Sequence, residues 1–255
     1  MSVDLSPLDL AKRAAARRAV DLVDPGMRVG LGTGSTAAWM IRGLAERMAG
    51  GLSDIVGVPT SSRTADLARE LGIPVASLDE VQWLDVTIDG ADAFDADLQL
   101  VKGGGGALLQ EKIVATASDR MVVIADAAKE VRTLGAFPLP VETVPFGWQT
   151  TRVLVEETLA NLDVLGREVT LRMNDDVPFV TDEGNYILDL HLHRIGDARQ
   201  LCLVLNQIPG VVENGLFLDV CDVVVIGHGD GSVEMREHAG AADADNIFAE
   251  DGPTA

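Results

Sequence analysis

Arg28-Val29-Gly30-Leu31-Gly32-Thr33-Gly34-Ser35-Thr36-Ala37 is the stretch that decides the fold. Arg28–Leu31 reads as a strand, Gly32–Thr36 as a tight turn and Ala37–Met48 as a helix. Upstream, Ser6-Pro7-Leu8-Asp9 opens a helix with a Ser cap, Pro in its first turn and an early acid. Asp24-Pro25-Gly26 stops that helix after about Leu22. Downstream, strands are expected at Asp54–Val58, Ile73–Val75, Leu84–Ile88 and Met121–Ala125. Helices are expected at Ser61–Leu71 and Ala107–Ala117. Strands alternating with helices predict an α/β fold with a parallel sheet.

The pattern changes after Gly135. Strands at Val141–Pro145, Glu168–Arg172, Phe179–Val180 and Tyr186–His191 are interleaved with helices at Thr150–Asn161 and Ala198–Gln207, and Val211–Val212 begins another strand. The order β-α-β-β-α-β predicts a smaller α+β (split βαβ) unit inserted into the first. Asp222–Ile226 is apolar and is expected to return to the parallel sheet. From Gly229 onward the chain is Gly, Ala and acid, so residues 231–255 are expected to form an acidic, disordered tail.

The chain has 255 residues, enough for a substantial core, and no apolar run near the roughly 20 residues of a membrane span. Its N-terminus lacks the apolar core of a secretion signal, so a soluble, cytoplasmic protein is expected. Forty Asp and Glu against 20 Lys and Arg give a net charge of −20, which disfavours nucleic acid as a partner. Acidic, Lys-poor composition suggests a salt-accumulating cytoplasm, where screening would relieve self-repulsion. Cys202 and Cys221 fall in no metal or redox pattern.

Four segments carry candidate chemistry. Gly30–Thr36 lies between strand and helix, where glycines allow close approach and helix N–H groups hold anions. It equally reads as a capped glycine turn. It lacks the Lys of a P-loop and the third Gly of a dinucleotide turn. Asp89-Gly90-Ala91-Asp92 offers two carboxylates for sugar hydroxyls or a metal, or forms an Asx-type turn. Lys102-Gly103-Gly104-Gly105-Gly106 is followed directly by a helix carrying Glu111 and Lys112, which favours close approach to a ligand over a linker. Asp126-Ala127-Ala128-Lys129 starts a helix capped by Asp126, with Lys129 able to reach a cleft. The chain's four lysines are Lys12, Lys102, Lys112 and Lys129, and three lie in or beside these segments. In so acidic a protein they are candidates for holding an anionic substrate.

The motifs GTGST, DGAD, KGGGGALLQEK, ADAAKEV, GAFPLPVE, VTDEGNYILD and IPGVVENGLF occur in this order. Together they resemble ribose-5-phosphate isomerase, type A, over residues 8–228. The resemblance implies interconversion of D-ribose 5-phosphate and D-ribulose 5-phosphate without cofactor or metal, in the pentose phosphate pathway. It implies a Rossmann-like catalytic domain (residues 1–134 and 216–230), a smaller lid and oligomerisation domain (135–215), and a homodimer or homotetramer. It assigns Glu111 as general base. Asp89, Asp92 and Lys102 would hold the sugar and assist ring opening and charge stabilisation. Thr33, Gly34, Ser35 and Thr36 would form the substrate loop, flanked by Gly90, Ala91, Gly103, Gly104 and Gly105. Lys12 and Lys129 would contact the phosphate. Glu183, where the family has Asn, and the acidic tail depart from the pattern.

Aldose–ketose isomerisation needs an opened ring, a base over C2 and a stabilised enediolate oxygen. Glu111, about two turns into its helix, is expected to face back into the glycine cleft. Rival readings are a metal enzyme using His191 and His193 on one strand face, a non-catalytic sugar-phosphate sensor, and a nucleotide-binding module.

Overall fold

The structure is a computed structural model and describes residues 5–238. The first body of the chain runs α1 (Pro7–Val20), β1 (Arg28–Leu31), α2 (Ser35–Ala49), β2 (Val56–Pro59), α3 (Ser62–Glu70), α4 (Leu78–Val81) and β3 (Val86–Gly90). It continues through β4 (Ala93–Phe94), β5 (Leu100–Val101), α5 (Leu108–Thr116), β6 (Met121–Asp126) and a 3₁₀ turn at Ala127–Lys129. Next come β7 (Leu139–Thr143), α6 (Trp148–Leu159), β8 (Glu168–Leu171), β9 (Met173–Asn174), β10 (Val177–Pro178), β11 (Tyr186–His191), α7 (Ala198–Leu205) and β12 (Val211–Asn214). The chain returns through β13 (Leu216–Phe217), β14 (Val223–Gly227) and β15 (Val233–Glu237).

The main sheet has the order β15-β14-β6-β3-β1-β2 and is parallel except for β15. Its central strands are buried on both faces, which is why β6 reads as the unbroken run Met-Val-Val-Ile-Ala-Asp. One face packs Val29, Ile88, Ile124 and Val225 against Ala15, Ala19, Met40 and Leu44 of α1 and α2. The opposite face packs Val123, Val224 and Ile226 on Phe94, Leu100 and Phe217. The chain leaves β1 toward β2 on one side, while β3 lies on the other. That reversal opens a crevice between the carboxyl ends of β1 and β3, which is where ligands bind such sheets.

The smaller sheet is antiparallel, ordered β12-β7-β11-β8, with α6 and α7 on one face. Leu139, Val141, Leu188 and Leu190 meet Val155, Leu159, Leu201 and Leu205 in a second core. Helix α5 packs against β7 and β12, so this sheet rests on the element that follows the glycine run.

Several expectations shift. Ile73–Val75 is not a strand; Val75 makes only an isolated bridge to Gly57. The expected Leu84–Ile88 strand slides to Val86–Gly90, which places Asp89 inside the sheet. The expected Phe179–Val180 strand is replaced by the β9–β10 hairpin just before it. Val233–Glu237, assigned by composition to a disordered tail, adds as an antiparallel edge strand on β14. An edge strand needs little burial: Met235 packs on the core, and Arg236 bonds Glu130 and Glu234. The rest of that expected tail, residues 239–255, lies outside the described residues.

Candidate active site

The loops after β1, β3 and β6 and the glycine run after β5 surround a cavity of about 340 Å³. Lys12, Thr33, Gly34, Ser35, Thr36, Gly90, Ala91, Asp92, Lys102, Gly103, Gly105, Glu111 and Lys129 all line it. Asp89 and Gly104 do not, because each is turned to hold a neighbour.

At one end, Gly34 caps α2 with φ of +110°, a conformation that L side chains rarely adopt. Among the described residues no side chain caps α2, so its first N–H groups and their partial positive charge face the cavity. Lys12 Nζ donates to Ser35 Oγ at 3.0 Å and adds a full charge there. Lys129 follows Asp126, whose carboxylate accepts from Ala128 N at 3.1 Å and caps the 3₁₀ turn. Behind the loop, Thr33 Oγ1 lies 2.8 Å from both Thr60 Oγ1 and Ser61 Oγ, and Thr64 Oγ1 donates to Gly32 O at 3.0 Å. This end suits a phosphate. Lys12→Met and Lys129→Met are each expected to raise KM by about 10- to 100-fold with kcat largely kept, the share of a charge-assisted hydrogen bond, as initial rates will show.

At the other end, Lys102 is buried, 2% exposed, between two carboxyl groups. Its Nζ lies 2.9 Å from Asp89 Oδ2, 3.4 Å from Glu111 Oε1 and 2.5 Å from Gly90 O. The Phe217 ring lies 5.4 Å away. Asp89 Oδ1 accepts from Thr33 N at 3.0 Å and Gly90 N at 2.7 Å, so Asp89 ties the two β-strand loops together behind Lys102. Asp92 Oδ2 accepts from Gly104 N at 2.7 Å. A Cβ on Gly104 would fall 2.6 Å from Asp92 Oδ1, so that glycine permits a contact within the protein.

Glu111 lies in the first turn of α5, not two turns in: it is the fourth residue of a helix that starts at Leu108, and a turn takes about 3.6 residues. Its carboxyl is buried, and Oε2 has no hydrogen-bond partner among the described residues. Burial is the main cause that pushes its pKa up, to about 8; Asp89 and Asp92 add to this and Lys102 opposes it. Burial also raises Asp89, against the pull of Lys102. Burial alone would lower Lys102, but Asp89 and Glu111 outweigh it and keep the ammonium charged. One fixed cation thus serves two buried carboxyls, and Glu111, in the looser contact, is placed to exchange a proton.

Lys112 does not join this site. Its Nζ bonds Glu213 Oε1 at 2.9 Å and Asn214 O at 2.6 Å, pinning α5 to β12. His191 bonds Thr170 Oγ1 at 2.9 Å, and His193 lies past the end of β11 with φ of +58°, so the two do not share a strand face. Leu8, Asp126 and Ala128 also line the cavity, beyond the binding residues expected from the motifs. Leu8 was legible, since it lies one helical turn before Lys12 on the same face.

A basic carboxylate beside a buried ammonium, facing an anion-holding helix end, defines an enzyme that moves protons on a small anionic molecule. The family model of ribose 5-phosphate isomerase A (phosphoriboisomerase A) matches residues 56–231. The ribose-5-phosphate isomerase A of Ruegeria pomeroyi is 72% identical over 237 residues, covering 93% of this chain and 90% of that one. The enzyme of that name from Cereibacter sphaeroides is 68% identical over 261 residues, covering 99% and 100%. The solved ribose 5-phosphate isomerase of Plasmodium falciparum is 35% identical and superposes with a TM-score of 0.85, covering 90% of this chain and 98% of that one. The chain belongs to the ribose 5-phosphate isomerase A family.

Proposed function

We propose that the chain interconverts D-ribose 5-phosphate and D-ribulose 5-phosphate, in the pentose phosphate pathway, by moving one proton between C2 and C1 through an enediolate. The observation that carries this is the placement of Glu111 and Lys102 on the wall of the same cavity whose other end is the bare α2 terminus. The phosphate sits at Ser35, Thr36, Lys12 and Lys129. Asp92, which lines the cavity while Asp89 does not, assists ring opening. Glu111 takes the C2 proton and returns it to C1. Lys102 meets the developing negative oxygen, and Asp89 keeps Lys102 in place.

Residues 135–215 act as the lid and oligomerisation domain beside a catalytic domain of residues 1–134 and 216–230. Exposed Phe146, Leu165 and Leu203 on the lid support assembly as a homodimer or homotetramer. A cytoplasmic location fits a phosphorylated sugar as substrate, and among the described residues no helix is long and apolar enough to cross a membrane.

The test is ribulose 5-phosphate formation from ribose 5-phosphate with EDTA present, in dilute and in molar KCl. Metal-independent turnover is expected. Its absence in folded protein would leave a sugar-phosphate binder. The net charge of −20 also supports adaptation to high salt, so the melting temperature is expected to rise by several degrees from dilute to molar KCl. A flat melting curve against salt removes that adaptation.

A further inference from the structure

We propose that Arg172, between β8 and β9 on the lid, is a positioning residue for the reaction: it turns the peptides of the glycine run so that the Gly105 N–H faces the reacting carbons. The proposal rests on the isomerase reading above.

The Arg172 side chain is only 14% exposed, and its guanidinium is used on every edge. Nε donates to Asp189 Oδ2 at 2.9 Å and Nη2 to Asp189 Oδ1, a fork-to-fork pair. Nη1 donates to Gly103 O at 2.8 Å and to Gly104 O at 3.3 Å. Phe179, whose N–H donates to Arg172 O at 2.9 Å, places its ring 6.0 Å from the guanidinium carbon. That ring also covers Gly106, where a Cβ would meet it at 2.4 Å. The lid therefore clamps the glycine run from one side with a charge and a ring.

The consequence follows from peptide geometry. In a trans peptide the N–H points opposite the C=O. With Gly103 O drawn to Arg172, the Gly104 N–H points the other way and reaches Asp92 Oδ2 at 2.7 Å. With Gly104 O drawn to Arg172, the Gly105 N–H points to that same side. Gly105 lines the cavity, and among the described residues its N–H meets no protein acceptor. A cation on the carbonyl also polarises the N–H of the same peptide. A donor held in place before the charge develops is what stabilises an oxyanion. Lys102 begins the run and Glu111 follows it, so one clamp sets the base, the ammonium and this amide together.

The experiment measures kcat and KM for ribose 5-phosphate, with inorganic phosphate as a competitive inhibitor to report the phosphate end. Arg172→Met is expected to lose about 10- to 100-fold in kcat, with KM and phosphate inhibition within about threefold of wild type. Arg172→Lys cannot form the fork and is expected to fall nearly as far. Arg172→Ala is expected to regain activity with added guanidinium ion, which leaves wild type unchanged. If these variants fail to fold, Asp189→Asn decides, with an expected fall of about 3- to 10-fold confined to kcat. A folded Arg172→Met within about twofold of wild-type kcat overturns the proposal, as does a loss confined to KM or melting temperature. For Asp189→Asn, a kcat within that same margin is the overturning result. Wild-type turnover, measured first, tests the isomerase reading by itself; its absence removes both.

Discussion

Glu111→Gln will keep substrate binding and lose about 10²–10⁴-fold in kcat, the usual share of a general base. Gln keeps the size of the side chain and its carbonyl toward Lys102 but cannot accept the C2 proton. The same group sets the pH dependence. Burial pushes the Glu111 carboxyl up to about 8, so in the free enzyme the base is increasingly protonated below that pH. Wild-type kcat/KM is therefore expected to rise with pH through that region, and the Gln variant is expected to lack the step. Stability carries the opposite sign. The folded state holds the Glu111 proton more tightly than the unfolded chain, so wild type loses stability as pH rises from the ordinary 4.5 toward 8. Gln has no proton to lose. The melting temperature of the variant relative to wild type should climb across that window and stay level below it. A variant with near-normal turnover, or a wild-type profile flat from pH 5 to 9, would refute the assignment.

The parts of this site that were legible are those where chemistry and backbone geometry coincide. A strand, a glycine turn and a helix in succession place Thr33–Thr36 at a sheet's carboxyl edge whatever surrounds them. Four glycines between Lys102 and a helix mark a closely packed backbone, although at Gly103, Gly104 and Gly106 the close neighbours are Leu108, Asp92 and Phe179 of the protein itself. The direction of a side chain was not legible. Asp89 and Asp92 are three residues apart, yet one is sealed behind Lys102 and the other lines the cavity, because β3 runs two residues further than its apolar pattern. Lys112 follows Glu111 directly and so points off another face of α5, toward Glu213. The strands β4, β5 and β13 are two residues long, too short for any periodicity, yet they carry Phe217 beneath Lys102. Arg172 ends an expected strand as one Arg among sixteen; only the packing of the smaller sheet on α5 brings it to the glycines.

Lys102→Met will lose at least about 10³-fold in kcat and will also destabilise the fold, and the two losses share one cause. Lys102 is the cation for both Asp89 and Glu111. Methionine fills the volume beside Phe217 but leaves two buried carboxyls with no ammonium. Breaking such a set typically costs about 3–5 kcal/mol, less whatever is recovered when a carboxyl takes up a proton. That recovery fixes the sign with pH. Without Lys102 both carboxyl pKa values move further up, so the variant is least destabilised in acid, and its deficit grows as pH rises and the carboxyls are forced to ionise. Catalysis falls twice over. In the proposed mechanism the enediolate oxygen loses the Lys102 ammonium, and Glu111, harder still to ionise, is protonated to a higher pH than in wild type. Lys102→Arg is not a rescue: the planar, larger guanidinium does not fit where Nζ meets Gly90 O, Asp89 and Glu111 at once. Melting curves at pH 5 and 8, beside turnover at both, make the check. Retention of more than about a tenth of wild-type kcat in Lys102→Met would remove the ammonium from the chemistry. A stability deficit that shrinks with rising pH would remove the shared-cation account of the buried cluster.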